Sequence, residues 1–389
     1  MSDLIHGRDP VLLLTNARLV LADRVIERGW VAAVDGRIVE AGEGKPPEHG
    51  EDMDGDIVMP GLVELHTDHL EAHYVPRPKV YWDPVAAVVS YDGQIATSGI
   101  TTVLDSLGVW PEETIEGADC NARTLGEAIA TARNGDLLRC DHFLHLRCEI
   151  PMPGVVEEAS RLIGRADVRL ASLMDHTPGQ RQFRDEGKLR DYYRGKNGGM
   201  TDQELDRLFV RRLESQKLHG SANHRALVEL ARQNRAPLAS HDDTTADHVA
   251  EAIADGVAIA EFPTTIEAAA ALHGAGIRVL MGAPNLVRGS SHSGNIASRD
   301  LAEAGFLDIL SSDYVPQSLL MAAIALPHVV SGINLAAAVR TVTKTPAEAV
   351  GLDDRGEITP GRRADLIRVN VSGNISVVRT VWRQGRRVA

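Results

Sequence analysis

Between residues 62 and 313 the chain carries eight short apolar runs, at 62–66, 100–105, 143–148, 168–174, 237–241, 257–262, 277–282 and 307–313. Ala-rich stretches with helical spacing, such as 246–254 and 266–273, separate them. Runs of Val, Ile and Leu without polar alternation are buried on both faces, which marks a parallel sheet covered by helices. Eight such strands over about 250 residues predict a closed (β/α)8 barrel of the TIM type; a doubly wound open sheet shares the periodicity but fits the count less well.

The chain ends are β-rich. Asp35-Gly36 between Trp30-Val31-Ala32-Ala33-Val34 and Arg37-Ile38-Val39-Glu40 is a hairpin signal. Two more such runs, at 364–369 and 377–382, flank Ser372-Gly373-Asn374. Neither end alone has strands enough for a sheet, so 1–59 and 352–389 are expected to join into one small β-sandwich domain around a barrel at 60–351. The charged segment 183–223 is too long for a plain loop and is expected to be an inserted lid or helical excursion.

A net charge of −13 argues against a nucleic-acid face but leaves room for a local pocket for an anionic small molecule. Cys120, Cys140 and Cys148 match no zinc or redox spacing, which points to free thiols in the cytoplasm. No apolar run approaches the roughly 20 residues that span a bilayer, so no membrane partner is expected. Assembly into a homo-oligomer stays open.

Barrel enzymes place their chemistry at the C-terminal ends of the strands. Here those ends bear His66 and Asp68, Arg147 and Glu149, Asp175 and His176, His241 and Asp242, Glu261, and Asp313. Each alone could be a cap or a solvated loop residue. Together, so many carboxylates and imidazoles at one mouth would be costly without a cation, and their mixture suits divalent metal.

Longer motifs carry a resemblance. Met59-Pro60-Gly61-Leu62-Val63-Glu64-Leu65-His66, the terminal segment 356–366 and the split β domain resemble the amidohydrolase superfamily. The segments Pro76-Arg77-Pro78-Lys79-Val80, His145-Leu146-Arg147-Cys148-Glu149, 172–183 and 281–289 are similar to its phosphonate-metabolism branch over essentially the whole chain. The resemblance implies that His66 and Asp68 bind a first metal, Glu149 bridges two, His241 binds the second, and Asp313 is ligand and proton shuttle. It also implies hydrolysis of the α–β phosphoanhydride of a ribose 1-methylphosphonate 5-triphosphate, with release of diphosphate. Two departures stand out. The first motif is His-x-Asp rather than His-x-His, which leaves zinc, manganese and iron open. The sixth strand ends in Glu261 rather than His, so either Glu261 or His176 could complete the second site.

In such a site a metal would lower the pKa of bound water toward roughly 7. A triphosphate also calls for guanidinium donors, for which Arg77, Lys79, Arg147, Arg181 and Arg288 are candidates. Any exposed Arg is more often a solvated charge, and Arg147 and Arg288 stand out by following barrel strands. Asn285, His292, Ser293 and Asn295 would add neutral donors. The Gly-rich stretch 282–294 lacks the Walker and dinucleotide spacings. His69 and His73 have helical metal spacing, but Pro76 closes that helix early, which favours a supporting role. Cys148 sits in an apolar strand, where a thiol is a poor nucleophile. Two other readings compete. One is a hydrolase of C–N bonds in cyclic amides or N-acyl compounds, disfavoured by the Arg residues; the other is a non-catalytic binding subunit, disfavoured by the intact ligand set.

Overall fold

The computed structural model describes residues 12–111, 121–182, 187, 189–190, 193–194, 200–291, 294–373 and 375–389. Cys120, His292 and Ser293, and much of 183–199, lie outside the described residues.

Two eight-stranded sheets organise the chain. The first is built from both ends: β1 (Leu12–Val20), β2 (Val25–Val34), β3 (Arg37–Glu43), β4 (Glu51–Asp52) and β5 (Ile57–Pro60) come from the start of the chain. The second is the barrel sheet, β6 (Leu62–Thr67), β7 (Ile100–Val109), β8 (Asp141–Glu149), β9 (Val168–Met174), β10 (Leu238–His241), β11 (Ile259–Glu261), β12 (Arg278–Gly282) and β13 (Ile309–Ser311). The chain end returns to the first sheet as β14 (Leu366–Ser372), β15 (Ile375–Arg383) and β16 (Arg386–Arg387). All eight expected barrel strands are present, in parallel and in sequence order.

In the first sheet Asp35 and Gly36 turn β2 into β3 at φ 50° and 77°, the left-handed pair a two-residue hairpin needs. The ends of the chain meet where β5 pairs antiparallel with β14, Leu366 opposite Pro60. Gly61 then carries the backbone directly from β5 into β6, its N–H donating to Asp365 O at 2.9 Å. A Cβ at this position would overlap Thr101 Oγ1, so the close crossing between sheets requires glycine.

The barrel strands fill the interior: Val63 and Leu65 from β6 join Leu104, Leu170, Ala239, Ile259, Leu280 and Ile309 in one buried cluster. The interior is therefore packed, and polar groups can gather only at its mouth. The seam closes where Thr67 bridges to Asp313, with Asp313 N–H donating to His66 O at 3.1 Å. At the opposite face Asp141, opening β8, receives Arg355 at 2.7 Å, Arg363 at 2.6 Å and Arg383 at 3.4 Å. Three guanidiniums from the chain end on one carboxylate fasten the first sheet to the bottom of the barrel.

Fully buried His142 sits between Asp105 (2.9 Å) and Asp92 (3.3 Å) under the helix Pro84–Thr97. Burial alone would depress its pKa, but the two carboxylates outweigh that and raise it to about 9. A raised folded-state pKa means that the stabilisation is complete below the ordinary value near 6.5 and is lost as pH climbs through about 9. Tm is expected to fall across that window in wild type and to be flatter in His142→Asn. A wild-type slope no steeper than the variant's would show that His142 is not a buried imidazolium.

Candidate metal centre

The mouth of the barrel opens into a cavity of about 840 Å³ lined by His66, Asp68, Arg147, Glu149, His176, His241 and Asp313, among others. How the strands end explains the convergence. Asp242, Phe262 and Asp313 follow β10, β11 and β13 at φ 56°, 55° and 54°. Non-glycine residues in the left-handed region are uncommon, and these three turn the chain abruptly at the rim.

His66 and His241 lie with ring centroids 5.7 Å apart, and His241 and His176 5.5 Å apart, around the edge of Phe262. Each imidazole has a carboxylate on Nδ1: Glu261 Oε1 on His66 at 2.8 Å, Asp242 Oδ2 on His241 at 2.7 Å and Glu149 Oε2 on His176 at 2.6 Å. Such pairing fixes the ring and leaves Nε2 of His66 and His241 for the cavity. Glu149 also accepts the His176 N–H at 2.8 Å. Burial would raise Glu149, but the His176 contacts prevail and hold it at about 2.

Two sets of donor atoms lie within 4.8 Å of one another: His176, His241 and Asp242 at the mouth, and His66, His145 and Glu261 beneath it. Two members of the deeper set, Glu261 and His145, are committed to the protein. Glu261 spends one oxygen on His66 and the other on Ser172 Oγ at 2.6 Å. His145 is enclosed by Ser106 Oγ, Leu65 O and Ser172, and burial drives it down to about 3, so it is neutral. Asp313 behaves differently: burial and then the negative charge of Asp68 push its carboxyl up to about 6. Two carboxylates crowding one another beside imidazoles are what a divalent cation relieves, so the donor chemistry fits a metal.

The candidate anion donors divide. Arg147 faces Asp68 at 3.5 Å and lines the cavity, as do Arg288 and Asn285. Asn285 uses its amide to hold the rim loop, donating to Ile296 O at 3.2 Å and accepting from Ser298 N at 3.0 Å. Arg181 is turned away: it is buried, with Asp243 at 2.9 Å and Glu251 at 3.1 Å neutralising it and His241 O accepting from it. Arg77 and Lys79 are exposed on a tight turn bridged between Arg77 and Val80, and neither lines the cavity. His69 and His73 both contact Gln94 Oε1, at 3.2 and 2.9 Å, a supporting arrangement. Burial lifts the Cys148 thiol to about 12, which rules it out as a nucleophile.

Two contributors went unnoticed in the sequence. Glu64, fully buried in β6, accepts from His66 N (2.7 Å), Ser311 Oγ (2.8 Å) and Ser312 N (2.6 Å), strapping the last strand to the first beside Asp313. A carboxylate inside an apolar strand run was a signal, since such groups are seldom buried without partners. Arg212, from the segment 183–223, also lines the cavity, and no motif marked it.

The amidohydrolase family model matches residues 57–388, which hold the whole barrel sheet, the strands β5, β14, β15 and β16 of the first sheet, and the site at the barrel mouth. The chain belongs to the amidohydrolase family. This amidohydrolase is 43% identical over 382 residues to the Escherichia coli (strain K12) alpha-D-ribose 1-methylphosphonate 5-triphosphate diphosphatase, covering 97% of this chain and 100% of that protein. It is 27% identical to an adenine deaminase of Nitratidesulfovibrio vulgaris, covering all of this chain and 59% of the deaminase. Among solved structures, a 5-methylcytosine deaminase from Klebsiella pneumoniae superposes with a TM-score of 0.65 at 15% identity, covering 97% of this chain and 98% of that one. An N-acetyl-D-glucosamine-6-phosphate deacetylase from Mycobacterium smegmatis gives 0.63 at 18%, covering 97% and 100%. At such identities the superpositions establish the fold of this amidohydrolase, a (β/α)8 barrel with a β domain made from both chain ends.

Proposed function

We propose that the protein is a metal-dependent diphosphatase that hydrolyses the α–β phosphoanhydride of α-D-ribose 1-methylphosphonate 5-triphosphate. The observation that carries this reading is the whole-length similarity to the Escherichia coli diphosphatase, and the cavity agrees with it. His66, Asp68, Glu149, His176, His241 and Asp313 would hold two divalent ions; zinc, manganese and iron all suit the donors. Glu261 is better placed to orient His66 than to ligate. When bound, the metal supplies charge neutralisation for phosphoryl oxygens and a more acidic water.

The protein's own groups supply the rest. Asp313, half-buried at the barrel seam, takes the proton of the attacking water, a role its burial beside Asp68 supports by favouring the protonated carboxyl. Arg147 and Arg288 at the cavity wall hold phosphoryl oxygens as charge-assisted donors. Hydrolysis adds water across the α–β bridge, giving the 5-monophosphate ester and diphosphate. The walls of Phe262, Pro263, Trp110 and Met281 keep bulk water from the reacting bond.

No described helix is long and apolar enough to cross a membrane. Cys140 and Cys148 are buried free thiols, in keeping with a cytoplasmic enzyme of small anionic substrates. Purified, metal-loaded protein is expected to release diphosphate from the triphosphate, with orthophosphate appearing only after added pyrophosphatase. Release of orthophosphate alone, or turnover of cyclic amides instead, would overturn the proposal.

A further inference from the structure

The crossover from β9 to β10 ends in an unusually long helix. The segment Asp202–Ser215 runs through a π-helical turn, Gln216–Gly220, into Ser221–Asn234. Within the π turn Gly220 leaves room for the Gln216 side chain, which reaches across to Asp175, the neighbour of His176. Ser215 Oγ donates to Pro151 O at 2.6 Å, and Asn223 Nδ2 to Ile150 O and Met152 O at 2.9 and 3.0 Å. The helix is thus tied to the chain that follows both Glu149 and Met174.

One turn before the π segment, Arg212 points into the cavity. Its Nη1 donates to His176 O at 3.2 Å, and its guanidinium stacks 5.2 Å from the centre of the Tyr193 ring. Unlike Arg181, with two carboxylates, and Arg147, facing Asp68, it makes no direct ion pair among the described residues, and Glu149 feels its charge only at longer range. One hydrogen bond uses only one of five N–H donors. A positioned guanidinium with spare N–H donors at the rim of a cavity whose floor bears carboxylates and imidazoles is arranged for an anion spanning the two.

The geometry points to Arg212 as a specificity-determining residue that binds the terminal, diphosphate portion of the substrate. This assignment rests on the proposed function: with the α–β bridge at the histidine and carboxylate floor, the remaining phosphates extend toward the rim. The helix Asp202–Ser215 would then select polyphosphate length.

The test compares wild type with Arg212→Ala and Arg212→Lys, the latter keeping charge without the planar fork. Loss of one charge-assisted contact predicts a kcat/KM on the 5-triphosphate lower by about 10- to 100-fold in the Ala variant. The preference for 5-triphosphate over 5-diphosphate should shrink by a similar factor, and calorimetric affinity for inorganic diphosphate should weaken alongside. Metal content and Tm are expected to stay at wild-type values, and the Lys variant to fall between. An active wild type with unchanged preference and diphosphate affinity in both variants overturns the Arg212 assignment alone. A wild type that releases no diphosphate overturns the functional reading beneath it.

Discussion

Asp313→Asn is expected to lower kcat by about a thousandfold or more, within the range that removal of a general base produces, while leaving Tm within a degree or two of wild type. The fold should tolerate the change for three reasons. The seam bond to His66 O comes from the Asp313 backbone N–H, not its side chain. The residue sits at φ 54°, a conformation that Asn accepts and a β-branched or bulky residue does not. Removing the charge also relieves its repulsion with Asp68, the neighbour that helps raise its pKa. The activity should not survive, because an amide cannot take up the proton of the attacking water and is a weaker donor to a cation. Wild-type turnover in this variant would remove Asp313 from the mechanism, and a Tm loss of many degrees would assign it to the scaffold.

Removal of divalent ions by a chelator is expected to bring turnover to background, with recovery when a divalent ion is restored. Ligand substitutions refine the point. His176→Ala should reduce bound metal from about two equivalents to one, since His176 stands at the cavity wall beside His241. Glu261→Gln should keep the stoichiometry and weaken affinity by about 10- to 100-fold, the usual effect of losing a carboxylate that orients a metal-bound histidine. Equal loss of metal in both variants would make Glu261 a ligand. Activity that survives exhaustive chelation with no metal detected would end the metal proposal.

The eight barrel strands were legible because a strand covered on both faces has to be apolar at nearly every position, and no other element gives so short and dense a run. The mouth residues were legible by corollary, since a polar group right after such a run sits at its C-terminal end. Whether a residue faces the cavity was another matter. Arg181 lies just before the long excursion and Arg212 within it, yet one is buried between Asp243 and Glu251 and the other looks into the mouth. Arg77 and Lys79 belong to a distinctive motif but occupy an exposed turn. Side-chain direction in loops is set by contacts with elements remote in sequence, so local pattern carries little of it.

By itself the sequence determined the parallel barrel, the joining of the two ends and the presence of His66, Asp68, Glu149, His241 and Asp313 at one rim. Period and composition are local properties, and burial on both faces leaves a local trace. Only the tertiary structure decided between Glu261 and His176 as the group facing the cavity, made Glu64 the strap of the seam and brought Arg212 over the mouth. Each depends on which atoms lie within about 3 Å of one another across the barrel, a distance no sequence spacing encodes.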